Sequence, residues 1–470
     1  MKRIFAYILL SAMILTTFSA CSGTEATLLD FLPDGEFVLD LNKKVVTIGT
    51  ELNSEADDEP DTIFEHAENT TMYDAILSRL DSLEKKYNCS IEFLDCGYGN
   101  QMITNMMPLA STGDPEIDII FGHNSNMMGH FAVGGLLYPL TQLKDYIDYE
   151  DSEKFGSAGL LEAAMVNGVP YAVQPVQWAG FTNSFAFYIT WNRELFTRFG
   201  LTDLHEYYEN GTWTFETYEN LFKAYETVAE EDIDLSYIQR GFFTYATLLA
   251  NGVKFCANNG TEFYSDFNSD KSYTAIDWSL NLYDRYKDII FFHDYAYGYE
   301  DYCEGRVMMM PANTKTITQS VPYYADFDFG VMPFPCGPDA EYGEWANFVE
   351  SLRGFAVSTF SDVPEAAATI INDLCEPFSE ISNENGLKDY YREQVFFTDL
   401  DTEIFLEVGE HVRHLYTAHG MAIYDFMTSV KGAQSVAQLI QTHEAPIEAL
   451  VLEQIRPNYV NYIYDHLDAE

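Results

Sequence analysis

Between Lys43 and Gly122 the chain switches repeatedly between two hydrophobic periods, and that alternation constrains the fold most. "KKVVTIGTEL" (43–52) is an apolar run of strand length. From Met72 to Tyr87 the apolar positions are Tyr73, Ile76, Leu77, Leu80, Leu83 and Tyr87, the spacing of a helix with one buried face. "CSIEFLDC" (89–96) reads as a second strand. Met102 to Leu109 reads as a helix closed by a Ser-Thr-Gly-Asp-Pro turn, and "EIDIIFG" (116–122) as a third strand. Strand–helix–strand repeats of this kind predict an α/β fold: a mostly parallel sheet covered by helices.

The pattern continues. "NGVPYAVQP" (167–175) turns into a strand, and "FAFYITWN" (185–192) is a strand followed by a short helix that ends at Gly200. Thr214 is placed to cap a helix whose face carries Phe215, Tyr218, Phe222 and Tyr225. "YTAIDWSLNLYDRY" (273–286) is another helix, "GRVMMM" (305–310) and "DFGVMPFP" (328–335) are strands, and Pro364 opens a helix through Leu374. The last hundred residues are mainly helical. At 470 residues the chain is too long for one core and suits two or three domains.

The N-terminus carries a different signal. Lys2 and Arg3 precede an apolar stretch, Ile4 to Phe18, that is shorter than the ~20 residues of a membrane span. It ends in Phe18-Ser19-Ala20-Cys21, which resembles a bacterial lipobox with Phe18 where leucine is usual. That resemblance implies a signal peptide over 1–21, a lipidated Cys21 and a membrane-anchored protein facing outside the cell. Residues 22–42 read as a tether.

The net charge is −49, and without Lys2 and Arg3 it becomes −51. Such a surface excludes non-specific nucleic-acid binding, which runs on Lys and Arg. Dispersed acid keeps a secreted protein soluble. Cys89, Cys96, Cys256, Cys303, Cys336 and Cys375 have no metal-binding spacing. Cys89 and Cys96 flank a strand, so a bridge between them is one possibility; the connectivity is open.

The order of these segments resembles the extracellular solute-binding proteins of carbohydrate type (family 1), the receptors of ABC importers. The stretches that carry it are "FAVGGLLYPLTQL" (131–143), "NGVPYAVQP", "YITWNRELFTRFGL" (188–201), "GTWTFETYENLFKA" (211–224), "CEGRVMMM", "DFDFGVMPFPCGP" (326–338) and "GFAVSTFSDVPEAAATIINDL" (354–374). Trp191, Arg193 and Arg306 depart from the usual residues. The resemblance implies two α/β lobes joined by crossing strands, with a ligand cleft between. Lobe 1 would hold 43–172 and 308–352, and lobe 2 would hold 173–307 and 353–470. The crossings would fall near Tyr171–Gln174, Arg306–Met309 and Arg353–Phe355. It implies a small-molecule solute, a carbohydrate and specifically an oligosaccharide, delivered to the permease's membrane subunits, with no cofactor and no catalysis.

Sugars offer hydroxyls and an apolar ring face, so the site needs flat aromatics and groups that form paired hydrogen bonds. In such folds the crevice lies at the carboxyl ends of the strands. Candidates there are Glu51 after the first strand and His123 and Asn124 after the third. Past the first crossing come Gln177, Trp178 and Phe181. Phe243 and Tyr245 lie on "GFFTYATLLANG" (241–252), which resembles the helix lining the second lobe. Trp345, Glu350 and Arg353 precede the third crossing. Competing structural roles are a core or rim position for Trp178, core packing for Phe243 and Tyr245, and a hinge ion pair for Glu350 and Arg353. His123 has no metal-binding partner spacing and reads as a satisfied polar neighbour; Trp191 reads as core. Two rivals stand beside the sugar receptor. One is the same fold binding a peptide, a polyamine or iron. The other is a secreted glycoside-acting enzyme, for which no catalytic motif is present.

Overall fold

The computed structural model describes residues 29–31, 37–51, 71–109, 117–156, 160–161, 164–166, 168–175, 183–230, 232–258, 262–293, 299–314, 316–343, 345, 347–378, 386–410, 412–413 and 421–455. The expected alternation is present. Strand β1 (Val45–Thr50) leads through α1 (Thr71–Tyr87) to β2 (Ser90–Asp95), then through α2 (Asn100–Met106) to β3 (Ile119–His123). β1 pairs in parallel with both β2 and β3.

The chain then runs through β4 (Asn183–Ala186) into β5 (Tyr188–Asn192), α3 (Leu204–Glu209), α4 (Phe215–Glu226), β6 (Asp234–Ile238) and α5 (Arg240–Ala250). After these come β7 (Ile290–Phe292), β8 (Val307–Ala312), β9 (Phe329–Pro333) and the long β10 (Asn347–Val357). The last elements used below are α6 (Pro364–Leu374), α7 (Asp399–Glu410), β11 (Val412–Arg413) and α8 (Met421–Val430).

These strands form two main sheets. The first runs β11-β10-β3-β1-β2, with β4 also on β10; the second runs β7-β6-β8-β5-β9. β6 is parallel to β7 and β8, whereas β5 is antiparallel to β8 and β9. In the first sheet, residues alternate between two apolar layers because strand side chains have period two. Ile119, Phe121, Phe355 and Val357 pack on the α1–α6 side, and Ile120 and Ala356 on the α2 side. Burial on both faces is what makes these strands continuous apolar runs. The second sheet has its own core, with Trp191, Tyr218, Tyr237 and Met309 among the buried residues.

Local chemistry sets the helix starts. Thr214 and Thr217 form a reciprocal capping box on α4, with the Thr214 N–H donating to Thr217 Oγ1 at 2.8 Å. Pro364 lies in the first turn of α6, where its missing N–H costs nothing. Trp191 is fully buried, its ring seated over Gly330 on the neighbouring strand, where any side chain would collide with it.

The expected lobe boundaries need correction. Met309 pairs with Trp191 and with Ser236, so β8 and β9 belong to the second sheet rather than lobe 1. Conversely Phe355, Val357 and α6 pack in the first lobe. No crossing therefore lies at 306–309. The return to the first lobe runs along β10, whose early residues pair with β4 and β11 and whose residues from Arg353 onward pair with β3. Antiparallel insertion of β5 between β8 and β9 is the reason: it uses strands far apart in sequence that no local pattern links.

The Cys89–Cys96 bridge is also absent. Both thiols are free and buried, in different apolar layers. They sit at opposite ends of a strand that rises about 3.3 Å per residue, far beyond the ~7 Å Cα limit of a disulfide.

Candidate functional site

The carboxyl ends of β1, β2 and β3 converge on one carboxylate. Glu51 follows β1 directly and has no exposed surface. Its Oε1 accepts from the Gly99 N–H at 2.8 Å and from Asn126 Nδ2 at 2.9 Å. Its Oε2 accepts from the His123 N–H at 2.8 Å. His123 Nδ1 lies 3.0 Å from Oε1. Gly122 permits this approach, since a Cβ there would stand 3.1 Å from Oε2 and 3.3 Å from Met102 Sδ.

On its other edge the His123 ring meets Arg353, whose Nε donates to Nε2 at 3.2 Å. An imidazole that accepts at Nε2 and donates at Nδ1 is the neutral tautomer. The guanidinium is thereby coupled to the carboxylate through the ring. Arg353 is placed for this by register, because it lies opposite His123 in the β3–β10 ladder. Burial opposes the charge on Glu51, but the hydrogen bonds from His123 and from the Gly99 backbone outweigh it. They hold Glu51 below the usual carboxylate range.

Around this buried core lie groups suited to a solute. Tyr98, 45% exposed, stands edge-on to His123 with ring centroids 5.7 Å apart, and the Arg353 guanidinium is 6.0 Å from its ring centre. Asn124 is buried and accepts from Gln174 Nε2 at 3.4 Å. Gln174 is fully buried, and its Oε1 has no hydrogen-bond partner among the described residues. It sits beside Val173, which bridges to Phe355 on β10.

The second sheet presents its own carboxyl ends. Gln239 follows β6 and caps α5, its Oε1 accepting from the Phe242 N–H at 2.6 Å. Arg240, the first residue of α5, lies over the Phe292 ring at 4.0 Å. Tyr237, Phe291 and His293 form a set of near-parallel rings about the ends of β6 and β7. Helix α5 is in contact with β10, and its Tyr245 packs on Phe187 at the β4–β5 junction.

Of the candidates named from the sequence, Glu51, His123, Asn124 and Arg353 come together at one place. Gln177, Trp178 and Phe181 lie outside the described residues. Glu350 lies in β10, with its side chain outside them. Phe243 and Tyr245 are 1% and 2% exposed in the core of the second lobe, where Phe243 packs on Phe334 and Tyr245 on Phe255. Their rings are spent on packing. Trp345 is also buried; its Nε1 donates to Glu407 at 3.0 Å and it packs on Tyr208 and Tyr342. Tyr98, Asn126, Gln174 and Arg240 were not singled out as ligand candidates. The sequence signal for Tyr98 was the "CGYGN" turn immediately after a strand; the others carry no local signal.

The family model described as bacterial extracellular solute-binding protein matches residues 78–380. No curated protein matches the chain in sequence. Solved structures share the fold at low identity. The GacH receptor of Streptomyces glaucescens, described unliganded and with acarbose, superposes with a TM-score of 0.60 at 14% identity, over 87% of this chain and 99% of that one. An ABC substrate-binding protein of Listeria monocytogenes in complex with cycloalternan gives 0.58 at 16%, over 86% and 98%. UgpB of Mycobacterium tuberculosis, in complex with glycerophosphocholine, gives 0.58 at 17%, over 81% and 96%.

Proposed function

The chain belongs to the family of bacterial extracellular solute-binding proteins, which bind rather than catalyse, and from that premise we propose that it is the receptor of an ABC importer whose solute is a carbohydrate. The observation that carries the carbohydrate is Tyr98. A half-exposed flat ring stands next to the Glu51–His123–Arg353 array at the strand ends. That pairing of an apolar face with fixed polar groups suits a sugar, which has one apolar ring face and many hydroxyls. The sugar-bound relatives of like fold support the reading. Solute bridging the two lobes shifts an open–closed equilibrium toward the closed form, which the permease subunits then engage.

Isothermal titration of the mature domain with mono- and oligosaccharides is the test. One carbohydrate series is expected to bind, and Tyr98→Ala to weaken it about tenfold, the worth of one aromatic contact. Binding of only a peptide, a polyamine or ferric ion would overturn the carbohydrate and leave the receptor.

Cys21 carries the lipid that holds the receptor at the outer face of the membrane. Among the described residues no helix is long and apolar enough to cross one. Cells fed labelled palmitate are expected to label the wild-type protein and not Cys21→Ala, which should appear in the medium. Equal labelling of the two would sink the anchor.

A further inference from the structure

Arg240 stands apart from the other arginines. On this strongly acidic chain, every other arginine whose side chain is described donates a hydrogen bond. Arg79 donates to main-chain carbonyls, Arg353 to an imidazole and the rest to carboxylates. Among the described residues Arg240 has ring contacts alone, 4.0 Å from the Phe292 centroid and 6.0 Å from that of Tyr283. It is half-buried at the carboxyl end of β6. Helix α5 does not draw it there, since a cation in the first turn opposes the helix dipole. The core of the lobe does not need its charge either, because Phe292 would accept an apolar neighbour as readily. A residue that breaks local preference without a visible compensation marks a functional position.

The surroundings define what it would take. Phe292 is only part-buried and His293 beyond it is exposed, whereas Tyr237 is fully buried in the core. A guanidinium held against the part-buried Phe292 ring presents its forked N–H groups to an oxyanion. We infer that the solute is an anionic carbohydrate, whose carboxylate or phosphate is received by Arg240. This rests on the carbohydrate-receptor reading above and narrows it. Arg240 also explains how a chain of net charge −49 admits an anion: the opposing field is screened within about 10 Å at 0.1 M salt, and the contact itself is local.

The test is isothermal titration of the folded mature protein with matched probes. Digalacturonate is compared with neutral galactobiose, and glucose 6-phosphate with glucose. At least one acidic probe is expected to bind 10- to 100-fold tighter than its neutral partner, the range of a charged hydrogen-bonded contact. Arg240→Gln is expected to remove that preference, the acidic probe falling to the affinity of its neutral partner. The uronate and phosphate arms say which anion is taken. A neutral probe that binds as tightly as its acidic partner overturns the inference alone. So does an Arg240→Gln protein that melts lower but keeps the acidic preference, since the arginine is then a packing residue. Peptide binding with no response to any sugar overturns the carbohydrate reading and this inference together.

Discussion

Asp401→Ala is expected to cost about 3–5 kcal/mol of stability, the usual effect of deleting one partner from a buried ion pair. Asp401 is wholly buried at the start of α7. Arg193 Nη2 lies 2.8 Å from each of its oxygens. Thr398 Oγ1 donates at 2.6 Å, the Val331 N–H at 2.9 Å, and His205 Nε2 is 3.1 Å away. One carboxylate thus ties α7 to α3, to the end of β5 and to the middle of β9. Its loss would leave Arg193, already held over the Trp191 ring, with the more exposed Asp203 as its remaining acid.

Urea unfolding followed by far-ultraviolet circular dichroism measures the effect; a loss under 1 kcal/mol would refute it. The pH dependence gives a second check. Burial opposes ionisation of Asp401, but His205 and Arg193 outweigh it and hold the carboxyl below the ordinary aspartate value. A depressed folded pKa contributes stability that is complete above the unfolded value of about 3.9. That contribution is lost as pH falls through the folded one. Asp401→Asn should therefore be less stable than wild type at neutral pH, and the gap should narrow below about pH 4.

Glu51→Ala is expected to abolish solute binding, by about 100-fold or more, and to destabilise the first lobe by about 3 kcal/mol. Two backbone N–H groups, the Asn126 amide and the His123 ring all point at this carboxylate. Removing it leaves these donors unmatched and frees His123, and with it Arg353, to turn. Glu51→Gln keeps the shape but sets an NH2 group against converging donors, so binding should fall about tenfold with a smaller loss of stability. Titration calorimetry against the best carbohydrate, paired with thermal unfolding, reads both. Unchanged affinity in Glu51→Ala would remove the cluster from the binding site.

Glu51, His123 and Asn124 were legible in the sequence because of where they stand. Each follows a run that can only be a strand, and strand ends in an α/β sheet face the crevice. Arg353 was legible through resemblance, as a residue next to a crossing. Its contact with His123 was not, because that depends on the register of β10 against β3. Trp345 shows the converse: it precedes the same crossing, yet Glu407, distant in sequence, fills its only polar bond. Phe243 and Tyr245 lie on an almost uniformly apolar helix, in which periodicity does not separate a core face from a cleft face.

The sequence by itself determined the α/β class, the alternation of β1 to β3 with their helices, the cap of α4, the start of α6 and the residues after the first and third strands. All of these rest on hydrophobic period and turn chemistry within a dozen residues. Only the tertiary structure decided that β8 and β9 lie in the second sheet and that Cys89 and Cys96 face different layers. It also decided that, among the described residues, Gln174 keeps an unmatched oxygen and Arg240 has no acid beside it. Strand register and the presence or absence of a partner arise from segments far apart in the chain, and local patterning carries no record of them.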